Sequence, residues 1–453
     1  MPSHTLAHTE QHERIIDFPL ERSWIRMHEI PQRNMMPASK PPIGLSNFPE
    51  LIRAGYHYVD KSLFIQSVLD TPAKVLLLPR PRRFGKTLNL SLLRTFFERG
   101  KPGNAELFQG LAITRAGENY LAHQGRYPVV FLTLKDIAAN NWESCLEKLK
   151  YEIAGEFERH ADLLESNILS RREKERYESI LSWEASLTGY ENSAKDLLTW
   201  LARAHGEQVV LLIDEYDTPT HAGFQSGYYD EVVNFMGNWL GGALKDHDAL
   251  GRGVLTGVLP LARKSIFPGL NNLKMAGITN PGPFADKFGF TESEVTGLLT
   301  DFGLPDALPE ARDWYSGYRF GNAAVYNPGS IVNFIADRPA PAAPYSVDSR
   351  FNDVIFDLIR NGGQGVYRGV ETLLQGGAIY SELDEVVSLD DIRPRESSIW
   401  SLLLFSGYLK AVAQYCQADH TFYNLHLPNR EARALLVDIV NAVQDDHLEN
   451  SVI

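Results

Sequence analysis

The stretch KVLLLPRPRRFGKT, Lys74 to Thr87, decides the fold. An unbroken apolar run reads as a buried strand that empties into a tight, basic loop ending in Gly-Lys-Thr. The apolar positions after it, Leu88, Leu92, Leu93, Phe96 and Phe97, recur at helical spacing until Gly100 and Pro102 stop them. Strand, loop and helix in that order point the free N–H groups and positive dipole end of a helix at an anion, which is how a phosphate loop is built. A second apolar run, Val209 to Ile213, delivers Asp214 and Glu215 at its end. A buried strand that closes on two carboxylates needs a counter-charge, and magnesium supplies one.

Each residue of this pair of motifs has an expected task. Lys86 is the point charge on the outer phosphates, and removing its ammonium should cost about 1.5–3 kcal/mol of charge-assisted bonding. Thr87 gives a hydroxyl to magnesium, Gly85 lets the backbone approach closely, and Phe84 completes the loop. Arg80, Arg82 and Arg83 repel one another unless an anion or carboxylates neutralise them, so they are expected to face the phosphates; Arg80 stands where the GxxxxGK[ST] pattern has its first glycine. Asp214 holds the metal, largely through water, and Glu215 orients and deprotonates the attacking water. Asp217 reads as a helix cap.

Farther along, Thr256 ends a candidate fourth strand and is placed to sense the terminal phosphate. Arg263 or Lys264 would reach a phosphate in this subunit or a neighbouring one, which allows for a homo-oligomer. Tyr58 and Phe64 are aromatic candidates for stacking on a base, set against a plain core role. His57, His123, His221 and His247 lack paired metal spacing and read as ordinary histidines. No Asn-Lys-x-Asp stretch follows to read guanine, which favours ATP; a Gly-x-Ser-x-Gly elbow and a His-Glu-x-x-His zinc helix are also missing from the sequence.

The 453 residues exceed one ordinary core, and 44% apolar content is that of a globular protein. A formal charge of −13 argues against wholesale wrapping of nucleic acid. Cys145 and Cys416 lie far apart and read as reduced thiols. With no apolar stretch near the roughly 20 residues of a membrane span and no secretory signal, the expectation is a soluble, cytoplasmic protein without a membrane partner.

The expected fold class is α/β, with a P-loop core whose mostly parallel sheet is covered by helices and a helical, winged-helix-like C-terminal region. An irregular arm occupies 1–40, the core 41–290 and the C-terminal region 291–453. Asp60 is expected to cap a helix over about 61–69. Further strands are expected at Tyr127–Leu134, Val254–Leu259 and Lys274–Ile278. The long separation of Lys86 from Asp214 requires a helical insertion at about 140–205. Near the end, a helix at 400–405, strands at 410–416 and 422–427 and a helix after Pro428 follow the order of a winged helix.

The chain resembles the bacterial AAA-ATPase-like family. The stretches that carry the resemblance are PIGLSNFPELIRAGYHYVDKSLFI, LLLPRPRRFGKTLNLSLL, LLIDEYDTP, LTGVLPLARKSIFPGLNNL, FGFTESEV, WYSGYRFG, VYNPGSI, LLLFSGYL and HLPNREAR, from about Pro42 to Arg433. An arginine in place of the first glycine looks like that family's own loop. The resemblance implies a P-loop ATPase followed by a helical and winged-helix-like region. Members often add a PD-(D/E)XK nuclease-like domain. No carboxylate cluster ending in Glu-x-Lys follows Arg433, so a nuclease would be a partner in trans or belong to sequence beyond this chain.

Three functions compete at this point. The leading one is a magnesium-dependent ATPase that moves its C-terminal region. A nucleotide-binding switch with little hydrolysis is the second. The third is a nucleic-acid module acting through the winged-helix-like end, but Glu431, Asp438, Asp445 and Asp446 interrupt the basic face of Arg430 and Arg433 on the last helix.

Overall fold

A computed structural model describes residues 40–260, 270–345, 349–383, 396–417 and 420–451. The arm before residue 40, together with Arg263 and Lys264, lies outside them. Five strands form one all-parallel sheet: β1 (Val75–Pro79), β2 (Val129–Thr133), β3 (Val209–Asp214), β4 (Leu250–Gly257) and β5 (Leu273–Met275), in the spatial order β2-β3-β4-β1-β5. The two motif strands, β1 and β3, are therefore not neighbours; β4 runs between them.

A parallel sheet must be buried on both faces, and the side chains show it. Leu76, Leu78, Val210, Leu212 and Val254 enter one apolar cluster, while Val75, Leu77, Val209, Leu211, Ile213 and Leu255 enter another. Each such burial contributes about 1.5–3 kcal/mol. The first cluster packs against Leu90, Leu93 and Phe96 of helix Lys86–Phe97 and takes in Ile355, Leu402 and Leu436 from the C-terminal region. One continuous apolar core thus joins the sheet to elements far along the chain.

The second cluster is covered by the inserted helices, among them Trp142–Arg159, Arg171–Leu181 and Leu187–His205, and by Tyr229–Leu244. Their starts follow local capping chemistry. Asn141 and Ser186 accept backbone N–H groups, Ser170 and Glu173 form a reciprocal box, and Gly206 ends the third helix in the left-handed conformation. Asp60 departs from expectation: the helix is Leu63–Asp70 with Ser62 at its cap, and the Asp60 carboxylate instead accepts the N–H groups of Ser62 and Ala112. It ties the helix start to a neighbouring turn.

In the C-terminal region, helix Glu396–Phe405, the antiparallel strands Lys410–Gln417 and His420–His426 and helix Arg430–Ser451 follow in order, and Ile379–Glu382 adds a third strand. Arg430 pairs with Asp313 at 2.9 Å and lies over the ring of Trp314, and Arg433 donates to the Leu374 carbonyl. Glu431 is fully buried and accepts the Ser330 hydroxyl and the Tyr345 N–H. Among the described residues, no helix is long and apolar enough to cross a membrane.

Candidate functional site

Parallel strands put all their carboxyl ends on one edge, and register decides which side chains meet there. Ile213 pairs with Leu255 and Thr133 with Asp214, so Asp214 and Thr256 stand side by side at the ends of adjacent strands. The Thr256 hydroxyl donates to Oδ1 of Asp214 at 2.8 Å, and the Thr87 hydroxyl donates to Oδ2 at 2.7 Å. Asp214 is fully buried, and these two hydroxyls offset the cost of holding a carboxylate away from water.

Lys86 begins its helix directly after Gly85, which adopts φ +81, and no side chain caps that helix start. The Lys86 ammonium is almost wholly buried. It donates to the carbonyls of Arg80 and Pro81, each at 3.2 Å, and meets Oε1 of Glu215 at 3.2 Å. Burial raises the Glu215 carboxyl above its ordinary value, and the neighbouring ammonium opposes that rise. Arg83 and Glu215 both hold positive φ, +65 and +52, conformations that cost of order 1–3 kcal/mol for residues other than glycine.

A cavity of about 490 Å³ opens over this edge. Its polar wall contains Arg83, Gly85, Lys86, Thr87 and Glu215; its apolar wall contains Ile43, Leu45, Val59, Phe290, Leu298 and Val332. Tyr58 lines it too, with its ring edge-to-face against Phe48, whereas Phe64 is sealed in the core. Phe84 reaches the wall but is itself buried against Tyr318 and Phe320.

Arg80 requires a correction. Its guanidinium does not face the cavity as Arg83 does but turns into the core, fully buried, donating to the carbonyls of Pro79, Ala276 and Phe284 between the rings of Phe288 and Phe320; Arg82, also expected at the phosphates, does not line this cavity either. Burial pulls its pKa down to about 9, which leaves it charged at neutral pH. Three carbonyl dipoles and two ring faces offset its buried charge, so no anion is needed to explain it.

Asp217 takes the expected cap position ahead of helix Thr218–Ser226, but its side chain serves elsewhere. It makes no side-chain cap; its buried carboxylate accepts the N–H groups of Val258 and Leu259 at 2.9 and 2.8 Å, pinning the exit of β4 to the end of β3. Gly257 makes room for this, because a Cβ there would fall 2.4 Å from Oδ1 of Asp217. Sequence reasoning also missed Lys61, whose ammonium pairs with Glu294 at 2.6 Å on the cavity wall. Glu294 closes a capping box with Thr291, and that Thr-x-x-Glu pattern was the available signal.

Comparison with known proteins fits this geometry. Residues 42–267 match the model of the AAA-ATPase-like family, described as "Predicted AAA-ATPase". The chain is also 29% identical over 408 residues to an "Uncharacterized protein in vnfD 5'region" of Azotobacter chroococcum mcd 1, an alignment covering 88% of this chain and 70% of that relative. Through the matched residues 42–267, which hold both motif strands and the helix that starts at Lys86, the chain belongs to the AAA-ATPase-like family.

Proposed function

We propose that the protein is a magnesium-dependent ATPase in which Arg82 to Thr87 form a P-loop and Asp214-Glu215 the metal-binding and catalytic pair. The observation that carries this reading is the meeting of Lys86, Thr87, Asp214 and Glu215 at one sheet edge, beside a cavity large enough for a nucleotide. The uncapped N–H groups at the start of helix Lys86–Phe97 would receive the phosphates, and the apolar wall from Ile43 to Val332 would take the base.

The donor set suits magnesium. Among the described residues no group of three or more His, Cys, Asp or Glu forms a cage, but one carboxylate and one hydroxyl at 2.7 Å are what a hard cation needs when substrate phosphates and water complete its shell. When bound, the ion would neutralise charge developing on the phosphates. The protein's own part is to orient water: Glu215 accepts a proton as the water oxygen bonds to the terminal phosphorus and the bond to the bridging oxygen breaks, giving ADP and phosphate.

The final helix, strands and buried Glu431 support a winged-helix-like C-terminal region that nucleotide turnover would move. Arg83 supports the coupling: its carbonyl accepts the Gly329 N–H, its guanidinium donates to the Tyr345 carbonyl, and Glu431 holds both Ser330 and Tyr345. A nucleotide-binding switch is the second reading, favoured by the Lys86–Glu215 contact, which engages the candidate base with the candidate phosphate ligand. Equilibrium binding of ATP with and without magnesium tests the proposal. Wild type should bind only with the metal and Lys86→Ala should lose about tenfold to a hundredfold in affinity, while equal binding by both would reject it.

A further inference from the structure

A second cavity, of about 260 Å³, lies against the same site. Thr87 and Glu215 line both cavities, so the two meet across these residues. The larger holds the helix start and the apolar wall; the smaller is lined by Arg82, Lys135, Thr218 and His221 and has no apolar wall of comparable extent. We propose that this smaller cavity is an oxyanion site that receives inorganic phosphate, on the side of Glu215 away from the base-binding wall. The inference rests on the ATPase reading given above.

Four features carry it. Arg82 supplies a planar fork of N–H donors, the geometry that grips a tetrahedral oxyanion through two bonds at once. Lys135, exposed just past the end of β2, adds a second positive charge, on which the Glu152 carboxylate acts through space. Thr218 and His221 add neutral polar groups, since burial, together with the charge of Arg82, holds the His221 imidazole below its ordinary value despite Asp217. The volume is ample for a four-oxygen anion with several waters, each taking about 30 Å³. Of the residues lining it, Arg82 and Lys135 are basic, and the acidic one, Glu215, is met by Lys86.

The consequence is a product route. Once water has attacked and the bridging oxygen has stayed with ADP, the freed phosphate would move past Thr87 and Glu215 into the cationic cavity while ADP remained against the apolar wall. Phosphate and ADP should therefore occupy the protein together.

The test is titration of the full chain with inorganic phosphate, followed by phosphorus NMR, in the absence and presence of saturating magnesium-ADP. Lys135→Glu serves as the variant, because Lys135 is exposed and its fold can be checked by circular dichroism. Saturable phosphate binding that persists with ADP and weakens about tenfold to a hundredfold in Lys135→Glu, with ATP affinity unchanged, is the expected result. Phosphate that competes fully with ADP and ignores the substitution would place it in the triphosphate cavity and overturn the proposal, as would the lack of any saturable signal. Lys135-dependent phosphate binding by a protein that does not bind ATP would sink the ATPase reading and leave the oxyanion site standing.

Discussion

The hydroxyl of Thr87 lies 2.7 Å from Oδ2 of Asp214, across 127 residues of sequence. Helix and strand arrive at this contact from different parts of the chain, and β4 fills the gap between their strands with Thr256, which holds the other carboxylate oxygen. The carboxylate is thus fixed at both oxygens before any ligand is considered. Thr256→Val keeps the shape and removes one bond to a buried charge. It should lower unfolding free energy by about 1.5–3 kcal/mol in urea titration. An unchanged midpoint would show that the Thr256 bond contributes nothing.

Arg80 offers a test of core against site. Arg80→Met should take a donor from three buried carbonyls, of which that of Phe284 keeps the Lys287 N–H, and cost about 3 kcal/mol, read as a lower thermal midpoint. Because the guanidinium points away from the larger cavity, ATP affinity of the folded variant should stay within about threefold of wild type, well under the loss given by removing a charged contact. A selective loss of ATP affinity with normal stability would return Arg80 to the phosphates.

Cys145 is buried beneath the inserted helices, and burial pushes its thiol up to about 11. In a Cys416→Ser background it should resist maleimide at neutral pH and react fully once urea unfolds the chain, because the thiolate is the reactive form. Rapid native labelling, counted by mass spectrometry, would contradict the packing of helix Trp142–Arg159.

Much of the core was legible because its signals are local. Val75 to Leu78 and Val209 to Ile213 are apolar without interruption, and only a strand buried on both faces permits that. The helical insertion followed from the long separation of Lys86 and Asp214, whereas its caps at Asn141, Ser170 and Ser186 are seen only in the structure. The strand order was not legible, since β4 between β1 and β3 is a matter of pairing that no single segment encodes. Arg80 differs from expectation for a related reason: three arginines within four residues look alike in sequence, and only the position of Ala276 and Phe284 shows which one finds carbonyls in the core. Asp217 does stand at a helix cap, but the partners of its carboxylate, Val258 and Leu259, belong to another strand's exit and leave no local pattern. Lys61 and Glu294 are far apart in sequence and could be joined only by the fold.

The central claim is that Lys86 and Glu215 act on one nucleotide, the first on binding and the second on cleavage. Measuring ATP binding and phosphate release on the same preparations of wild type, Lys86→Ala and Glu215→Gln separates those tasks. Glu215→Gln should keep ATP bound while phosphate release slows by about 10²–10⁴-fold, and Lys86→Ala should lose binding itself. Normal phosphate release by Glu215→Gln, or undiminished ATP binding by Lys86→Ala, would contradict it.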